Sequence, residues 1–412
     1  MKSPTILMLV LWFDEVPGTW TYFKEMASQL ANAGLKVIIV SPRAKGKKLV
    51  EEAENILVFR YSSFCLSGIP LPFINPLSFL STLKRILQRE KRINLIYDTT
   101  SGLLPSSLLV KILFKLKGTK IPLVIHVHGE LKELKSKGAL TSLLSELYLH
   151  LVTRFCLAMA DKVLLAGERI VPRVLSFGVK PEKVRVVRVG LKYEDKLSRF
   201  KPLSLKERAK LRRSIGIKET DFVLGYVGRL SPGKGIDTLL KAVSVTKNLI
   251  PELKVLLIGE GQESERLKVL TWMLHIEDIV FFLGYRCDVL DLLQIMDVFV
   301  NLTHSEVGIS ASQIEAMRVG LPSVVTPFTN FLNHMEDAII VPFADVKAVA
   351  NAIFQLYKDK KLRKFLGMNA ILKAEKLLKL HTWNGYVNGF LQALKDLGVY
   401  QISQKVCEKH MK

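Results

Sequence analysis

The feature that most restricts this chain is an alternation, in which short runs of Val, Ile and Leu are separated by stretches of helical period. In the first half the runs are ILMLVLWF, KVIIVS, ILVFR, LIYD, LVIHVH and KVLLAG, and the amphipathic TYFKEMASQLANAG separates the first two. Strands buried on both faces read as continuous apolar runs, and parallel neighbours need a crossover, usually a helix. A second series starts at DFVLGYVG and runs through LKVLLIGEG, DIVFFLG, DVFVNL, PSVVTP and AIIVP. Between the two series, from about Lys192 to Glu219, the sequence turns charged and loses strand pattern, which predicts a linker and a lead-in helix. With 412 residues, 49% of them apolar, the chain has the length and material for two cores. The pattern predicts an α/β protein of two doubly wound units.

Sixty Lys and Arg against 38 Asp and Glu leave a net charge of +22, most of it in the first 200 residues. Such a surplus predicts anionic company: phosphates, a nucleic acid or an acidic membrane surface. The chain lacks an obvious recognition helix or an aromatic-rich RNA-binding strand, which weighs against a specific nucleic-acid reader. Cys65, Cys156, Cys287 and Cys407 lie far apart, with no C-x-x-C pair and no His at zinc spacing. That usage suggests neither a disulfide frame nor a metal and fits a reducing, cytoplasmic setting. The opening MKSPTILMLVLWF runs into Asp14 and Glu15 without a small-residue cleavage site, so it reads as a buried strand rather than a leader. The longest uncharged span, Tyr61–Leu83, has bilayer length but holds Gly68, Pro70, Pro72 and Pro76. It reads as a broken loop presenting Phe64, Leu66, Ile69, Leu71, Phe73 and Ile74.

Three stretches carry chemistry. In GYVGRLSPGKGIDTLLKA (225–242) a strand ends at Gly228, Arg229 and Lys234 flank a Pro-Gly turn, and a helix follows Gly235. Two cations around a strand-to-helix turn can converge on one anionic group, with the helix amides adding partial positive charge. The same spacing suits a surface turn with two solvated bases. In LIGEGQESERL (257–267) the pair Gly259 and Gly261 follows a strand, but the third glycine of a dinucleotide fingerprint is replaced by Ser264. A tight turn before a helix explains it equally well. In NLTHSEVGISASQIEAMRVGLPSVVTP (301–327) a polar loop holds Glu306 and Gly308, and a helix from about Ser310 places Glu315 on its second turn. Amides at that helix start can bind phosphate oxygens, and a carboxylate one turn in can accept from ribose hydroxyls. A solvated helix with two incidental glutamates is the alternative.

Arg229, Lys234, the G-E-G turn and the Glu306/Glu315 region stand in the order and approximate spacing of retaining GT-B glycosyltransferases of group 1, the family-4-type nucleotide-sugar enzymes. The chain resembles them over nearly its whole length: VPGTWTYFKEMASQLANAGLKVIIVSP is similar to their glycine loop and first crossover, and ADKVLLAGE, FGVKPEKVRVV and HTWNGYVNGFLQAL match further segments. The resemblance implies two Rossmann-like domains facing across a cleft: an acceptor domain, 1–195; a donor domain, 196–380; and a last segment, 381–412, whose helix crosses back to the first. It implies no cofactor beyond the co-substrate, a UDP- or GDP-sugar, and a glycan or lipid-linked acceptor. Arg229 and Lys234 would neutralise the donor diphosphate, Glu315 would bind the ribose, and Ser305, Glu306, Gly308, Ile309 and Ser310 would hold the sugar and phosphates. Gly228 and Gly261 would join the donor site; Gly18 would let its backbone approach the diphosphate; His128 would lie beside the anomeric centre, with Glu130 a weaker candidate. The sequence departs from the pattern in three places. Glu306 and Glu315 stand nine positions apart instead of the usual eight, Pro17-Gly18 replaces a double glycine, and Val189-Gly190 replaces Asn-Gly.

The resemblance further implies retention at the anomeric carbon, and no D-x-D metal triplet occurs, so bases and amides stand in for a divalent ion. In the first domain SSLLVKILFKLKGTK (106–120) sets four lysines beside a broad apolar face. Basic helices next to apolar loops suit an enzyme resting on an anionic membrane at the inner face of the cell; ordinary crossover helices give the same pattern. Two rival classes remain at this point: a sugar-nucleotide epimerase of the same architecture, and a non-enzymatic basic phosphate- or nucleic-acid-binding protein.

Overall fold

The computed structural model describes residues 3–10, 17–43, 46–53, 55–65, 72–99, 106–128, 150–190, 201–303, 309–327 and 331–400. It divides into two compact units, Met1–Lys192 with His381–Lys412, and Tyr193–Leu380.

The strands of the first unit are β1 (Thr5–Leu9), β2 (Lys36–Pro42), β3 (Val50–Ala53), β4 (Ile56–Tyr61), β5 (Ser63–Cys65), β6 (Pro72–Ile74), β7 (Leu95–Asp98), β8 (Leu123–Val127), β9 (Lys162–Leu165) and β10 (Val184–Val186). Eight of them form one sheet in the order β10-β9-β8-β7-β1-β2-β4-β3, parallel throughout except for β3 on β4. The strands β1, β4, β7 and β8 are buried along their whole length, which is why they read as unbroken apolar runs. The antiparallel edge strand β3 carries Glu51 and Glu52, and charge of this kind discourages edge-to-edge pairing. Helices α1 (Pro17–Asn32), α2 (Pro76–Arg89), α3 (Ser106–Leu116) and α4 (Val171–Ser176) complete the crossovers, with residues 150–159 also helical. The span expected as a broken loop is more ordered at its ends: β5 and β6 pair antiparallel, and α2 begins at Pro76, with the Asn75 side chain accepting from Ser78 N at 3.1 Å. A proline at the first helical position has no amide to satisfy, so it starts a helix rather than breaking one.

The second unit contains α5 (Leu205–Ile215), β11 (Phe222–Val227), α6 (Ile236–Thr246), β12 (Leu253–Ile258), α7 (Ser264–Met273), β13 (Val280–Gly284), α8 (Val289–Gln294), β14 (Val298–Asn301), α9 (Ala311–Arg318), β15 (Ser323–Val325), β16 (Ile339–Ile340), α10 (Val346–Lys358) and α11 (Lys360–Leu380). The lead-in helix α5 starts on a capping box between Ser204 and Glu207 and stops at left-handed Gly216. All six strands are parallel, in the order β13-β12-β11-β14-β15-β16. One face packs on α6 and α10 through Leu239, Val243, Ile353 and Leu356, the other on α8 and α9 through Leu292, Leu293 and Ala316. The order reverses between β11 and β14, and in sheets of this kind the crevice outside the carboxyl ends at such a reversal is the favoured ligand position.

The last helix, α12 (Trp383–Asp396), belongs to the first unit. Thr382 caps it, accepting from Gly385 N at 2.9 Å, and Trp383, Tyr386, Val387, Phe390 and Leu394 join the core of α1, β1, β2 and β7. A buried polar chain ties this helix to the sheet. His126 on β8 meets the Val187 carbonyl through Nε2 at 3.1 Å and the Tyr97 hydroxyl through Nδ1 at 2.7 Å; Tyr97 in turn meets the Tyr386 hydroxyl at 3.1 Å. A carbonyl cannot donate, so Nε2 carries the proton of a neutral ring, Nδ1 accepts from Tyr97, and Tyr97 accepts from Tyr386. Burial holds His126 well below the usual imidazole range, with His128 adding to the effect. Tyr97→Phe strands an imidazole nitrogen and a second hydroxyl in the core, whereas Tyr386→Phe removes only one donor. We expect the former to cost about 2 kcal/mol or more in urea unfolding and the latter about 1 kcal/mol; equal costs would contradict this direction of donation.

Candidate functional site

The turn after β11 and the start of α6 carry Arg229 and Lys234, and they sit at the strand reversal of the second unit. Their placement rests on backbone contact. Gly235 is left-handed (φ 69°), and a Cβ there would lie 2.4 Å from the Leu302 carbonyl at the end of β14. Thr303 Oγ1 donates to the Gly233 carbonyl at 3.3 Å, so the base-bearing turn is pinned against the loop that leaves β14. On the other side the Gly259-Glu260-Gly261 turn lies against residues 228–230. A Cβ on Gly261 would meet the Leu230 carbonyl at 2.2 Å, and two backbone bonds close the seam, Leu230 N to Glu260 O and Glu263 N to Leu230 O, both at 3.0 Å. The glycines of the second motif therefore have a packing reason: they let that turn buttress the backbone on both sides of Arg229. The Tyr226 hydroxyl adds a bond to the Arg229 carbonyl at 3.0 Å.

Among the described residues the Arg229 guanidinium makes no ion pair or hydrogen bond. Helix α6 opens at Gly235 with no side-chain cap, so its first amides direct the helix's partial positive charge at the same turn. Helix α9 opens differently: Ser310 Oγ accepts from Gln313 N at 3.3 Å and lies 3.3 Å from the Asn301 side-chain amide, which fixes this start to the end of β14. Ile309 is buried beside it, and Glu315, one turn further, is only 7% exposed. The expected sugar-holding residues Ser305, Glu306 and Gly308 lie outside the described residues, as does Glu130. The second unit thus brings Gly228, Arg229, Lys234, Gly261, Ile309, Ser310 and Glu315 to the carboxyl edge of one sheet, with Thr303 and Tyr226 as supports that no motif announced.

The first unit holds the other two candidates. Gly18 is the second residue of α1, among the first amides that have no partner within the helix. His128 follows β8, and its Nδ1 lies 3.0 Å from the Tyr22 hydroxyl on α1, with the Phe23 ring edge-on. Its Nε2 is shut from solvent and, among the described residues, has no hydrogen-bond partner. The contact fits either tautomer; the one in which Tyr22 donates to Nδ1 leaves the ring's one proton on Nε2. Burial pushes the His128 imidazole down to about 3, so the ring is neutral at physiological pH. Tyr22 carried no signal in the sequence beyond its place on the helix face behind the glycine loop. Among the described residues no group of three His, Cys, Asp or Glu side chains could hold a metal ion.

Two family models match this chain. The model described as "Glycosyl transferases group 1" matches residues 207–373, and "Glycosyltransferase Family 4" matches 16–194. N-acetyl-alpha-D-glucosaminyl L-malate synthase of Bacillus anthracis is 25% identical over 361 residues, 87% of this chain and 89% of that one. The Bacillus subtilis protein EpsD is 30% identical over 172 residues, so the chain spans about half of that relative (45%) and the match covers 41% of this one. Among solved structures, that of Anabaena HepE in complex with UDP-glucose superposes with a TM-score of 0.70 at 19% identity, covering 96% of this chain and 100% of that one. The fold is GT-B.

A histidine held neutral in the fold but free to charge when unfolded stabilises the protein fully above about pH 6.5, and that contribution fades as pH falls toward 3. His128 alone should lose about 1.3 kcal/mol of stability between pH 7 and pH 5.5. In urea unfolding at the two pH values, His128→Gln should show a correspondingly smaller difference. An unchanged difference would mean that the ring is not held neutral.

Proposed function

This chain belongs to the group-1 glycosyltransferases, nucleotide-sugar-dependent enzymes, and we propose that it moves a sugar from a nucleoside-diphosphate donor to an acceptor hydroxyl with retention and without a divalent ion. The observation that carries the reading is the pinning of the Arg229/Lys234 turn against the end of β14, which sets two cations and an uncapped helix start at one strand reversal. Glycosyl transfer builds oxocarbenium character on the sugar while negative charge grows on the departing diphosphate. A cation about 4 Å from that charge interacts with it at a scale of about 4 kcal/mol for an effective dielectric near 20. The part realised only in the transition state is what accelerates the reaction, tenfold for each ~1.4 kcal/mol. Glu315 holds the ribose, and residues 305–310 hold the sugar and phosphates. His128 donates from Nε2 to the substrate, and its neutrality keeps a positive charge away from the electron-poor anomeric carbon. The acceptor hydroxyl attacks from the face the diphosphate leaves, and a diphosphate oxygen takes its proton, so no second carboxylate is needed. HepE binds UDP-glucose, which makes uridine diphosphate sugars the first donors to try.

The acceptor reading rests on the first unit. Helices α2 and α3 expose Leu77 (80%), Ile112 and Leu116 (79%), and between them runs an apolar groove of about 470 Å3 lined by Leu83, Leu87, Val110, Leu113 and Phe114, with Lys84 and Lys117 in its wall. Exposed leucines beside lysines match an anionic bilayer, at about 1 kcal/mol for each base near the surface. We therefore assign a lipid-linked acceptor and a peripheral position on the membrane; among the described residues no helix is long and apolar enough to cross one.

Incubating the protein with UDP-sugars and a polyprenyl-phosphate-linked acceptor in chelator should give a product whose anomeric configuration matches the donor, and Lys234→Ala should lower turnover at least a hundredfold with the fold intact. Inversion, a requirement for metal, or full activity in Lys234→Ala would each remove a part of this mechanism. Donor alone should give no epimer. Co-sedimentation with vesicles containing phosphatidylglycerol, but not with phosphatidylcholine alone, should be abolished by Leu77→Asp/Leu116→Asp.

A further inference from the structure

A second cationic site lies in the second unit at the opposite edge of the sheet from the Arg229/Lys234 turn. A cavity of about 540 Å3 opens where the chain enters β14 and β15, lined by residues 202–203, 296–297 and 318–322 and by the start of α11. Five bases face it, Arg208, Arg318, Lys360, Arg363 and Lys364, against one carboxylate, Asp297. That carboxylate is engaged elsewhere: its Oδ2 accepts from Arg212 Nη2 at 3.1 Å and from Val223 N at 2.9 Å.

The two arginines nearest α5 and α10 are restrained, while Lys360 and Lys364 are exposed at the rim. Arg363 donates to the Leu356 and Tyr357 carbonyls at the end of α10, and its guanidinium lies over the Phe222 ring, 5.4 Å from the centroid. Arg208 is partly buried on α5, one turn from the buried Arg212, whose guanidinium is saturated by carbonyls and Asp297. Among the described residues the side chains of Arg208, Lys360 and Lys364 make no hydrogen bond or ion pair. A groove on the far side of Arg208, lined by Glu219, Asp221, Glu252 and Asp297, brings acidic groups near it, yet none comes within ion-pair distance. Burial and the neighbouring Arg212 hold Arg208 below the usual guanidinium range, against a smaller opposing pull from Asp297. Packing like charges around a partly desolvated guanidinium is unfavourable unless an anion joins them. Placing Lys360, Lys361, Arg363 and Lys364 in the opening of α11, with no acidic residue in its first turn, adds to the imbalance, because a helix start already carries partial positive charge.

We propose that this cavity binds a small phosphorylated anion at a site separate from the sugar donor. The arginines favour phosphate over carboxylate because the guanidinium fork matches its oxygens. The volume admits a diphosphate or a phosphorylated sugar and is too small for a nucleic acid. Helix α9 runs from Ser310, at the donor edge, to Arg318, which lines this cavity, so one rigid element touches both ends of the sheet.

The test uses the full chain with Arg229→Ala/Lys234→Ala, which removes the cations of the donor site, and inorganic pyrophosphate as the probe in calorimetry at low salt. Saturable 1:1 binding is expected, weakened at least tenfold by adding Lys360→Gln/Lys364→Gln or Arg208→Gln, and succinate should bind at least tenfold more weakly than pyrophosphate. Arg208→Lys retains the charge and serves if Arg208→Gln does not fold. With the donor site intact, Lys360→Gln/Lys364→Gln should keep basal glycosyl transfer, so failure here and failure of the enzymatic reading are told apart. No saturable binding, affinities within twofold across the variants, or succinate binding as tightly as pyrophosphate would overturn the proposal.

Discussion

Contacts that leave no space for a Cβ hold the second unit's loops together. Gly259 lies against the Gly228 carbonyl, where a Cβ would come to 2.0 Å; Gly261 lies against Leu230 and Gly235 against Leu302. Three loops that leave β11, β12 and β14 therefore touch through backbone, and backbone cannot move aside as a side chain can. Side chains are flexible tethers and Lys is among the most flexible, so positioning two cations to the accuracy that catalysis needs falls to their Cα atoms. The glycines do this indirectly, by fixing the turn from which Arg229 and Lys234 project.

In the first unit the equivalent constraint is a hydrogen-bonded chain rather than a steric one. His126, Tyr97 and Tyr386 join β8, β7 and α12 through a single sense of donation, and His128 lies against His126 with ring centroids 4.0 Å apart and the planes tilted by 39°. Two buried imidazoles at that separation are compatible only if both stay neutral, since each charge would disfavour the other in a poorly solvated interior. Burial thus does two things with one arrangement. It docks the last helix by a satisfied polar network, and it prepares at His128 an uncharged ring with one nitrogen that meets no partner among the described residues.

Much of the fold is legible because parallel strands have to be apolar on both faces. The runs KVIIVS, LIYD and LVIHVH coincide with β2, β7 and β8, and DFVLGYVG and LKVLLIGEG with β11 and β12. The elements that escape are β3, whose two glutamates face water, and the three-residue β5, β6 and β10, too short for a period to register. At the site, Arg229 and Lys234 are legible from their spacing around Pro-Gly, and Ser310 from its position before a helix. Tyr22 and Thr303 are not, because their partners lie 106 and 70 residues away, separations no local pattern encodes; Tyr226 is only three residues from Arg229, but its hydroxyl bond depends on how the turn folds back on the strand. The reason for Gly261 is also invisible in one dimension: a phosphate loop and a buttress share the same glycine spacing.

The net charge of +22 suggested anionic partners without saying where, and the fold divides that surplus into kinds that composition cannot separate. Arg212 is structural, its guanidinium spent on the carbonyls of Asp221 and Ile295 and on Asp297, and buried Arg60 is held by Glu51 and the Lys48 carbonyl. Such bases attract nothing at a distance because their field is already answered at contact. Other bases gather at opposite edges of the second sheet and beside the apolar groove of the first unit. A charge in solution is screened within about 8 Å at physiological salt, whereas one in a cavity wall keeps its field focused inside. The excess therefore acts through a few groups of bases at defined edges of the sheets, and total charge predicts that anions will bind without predicting the number of places.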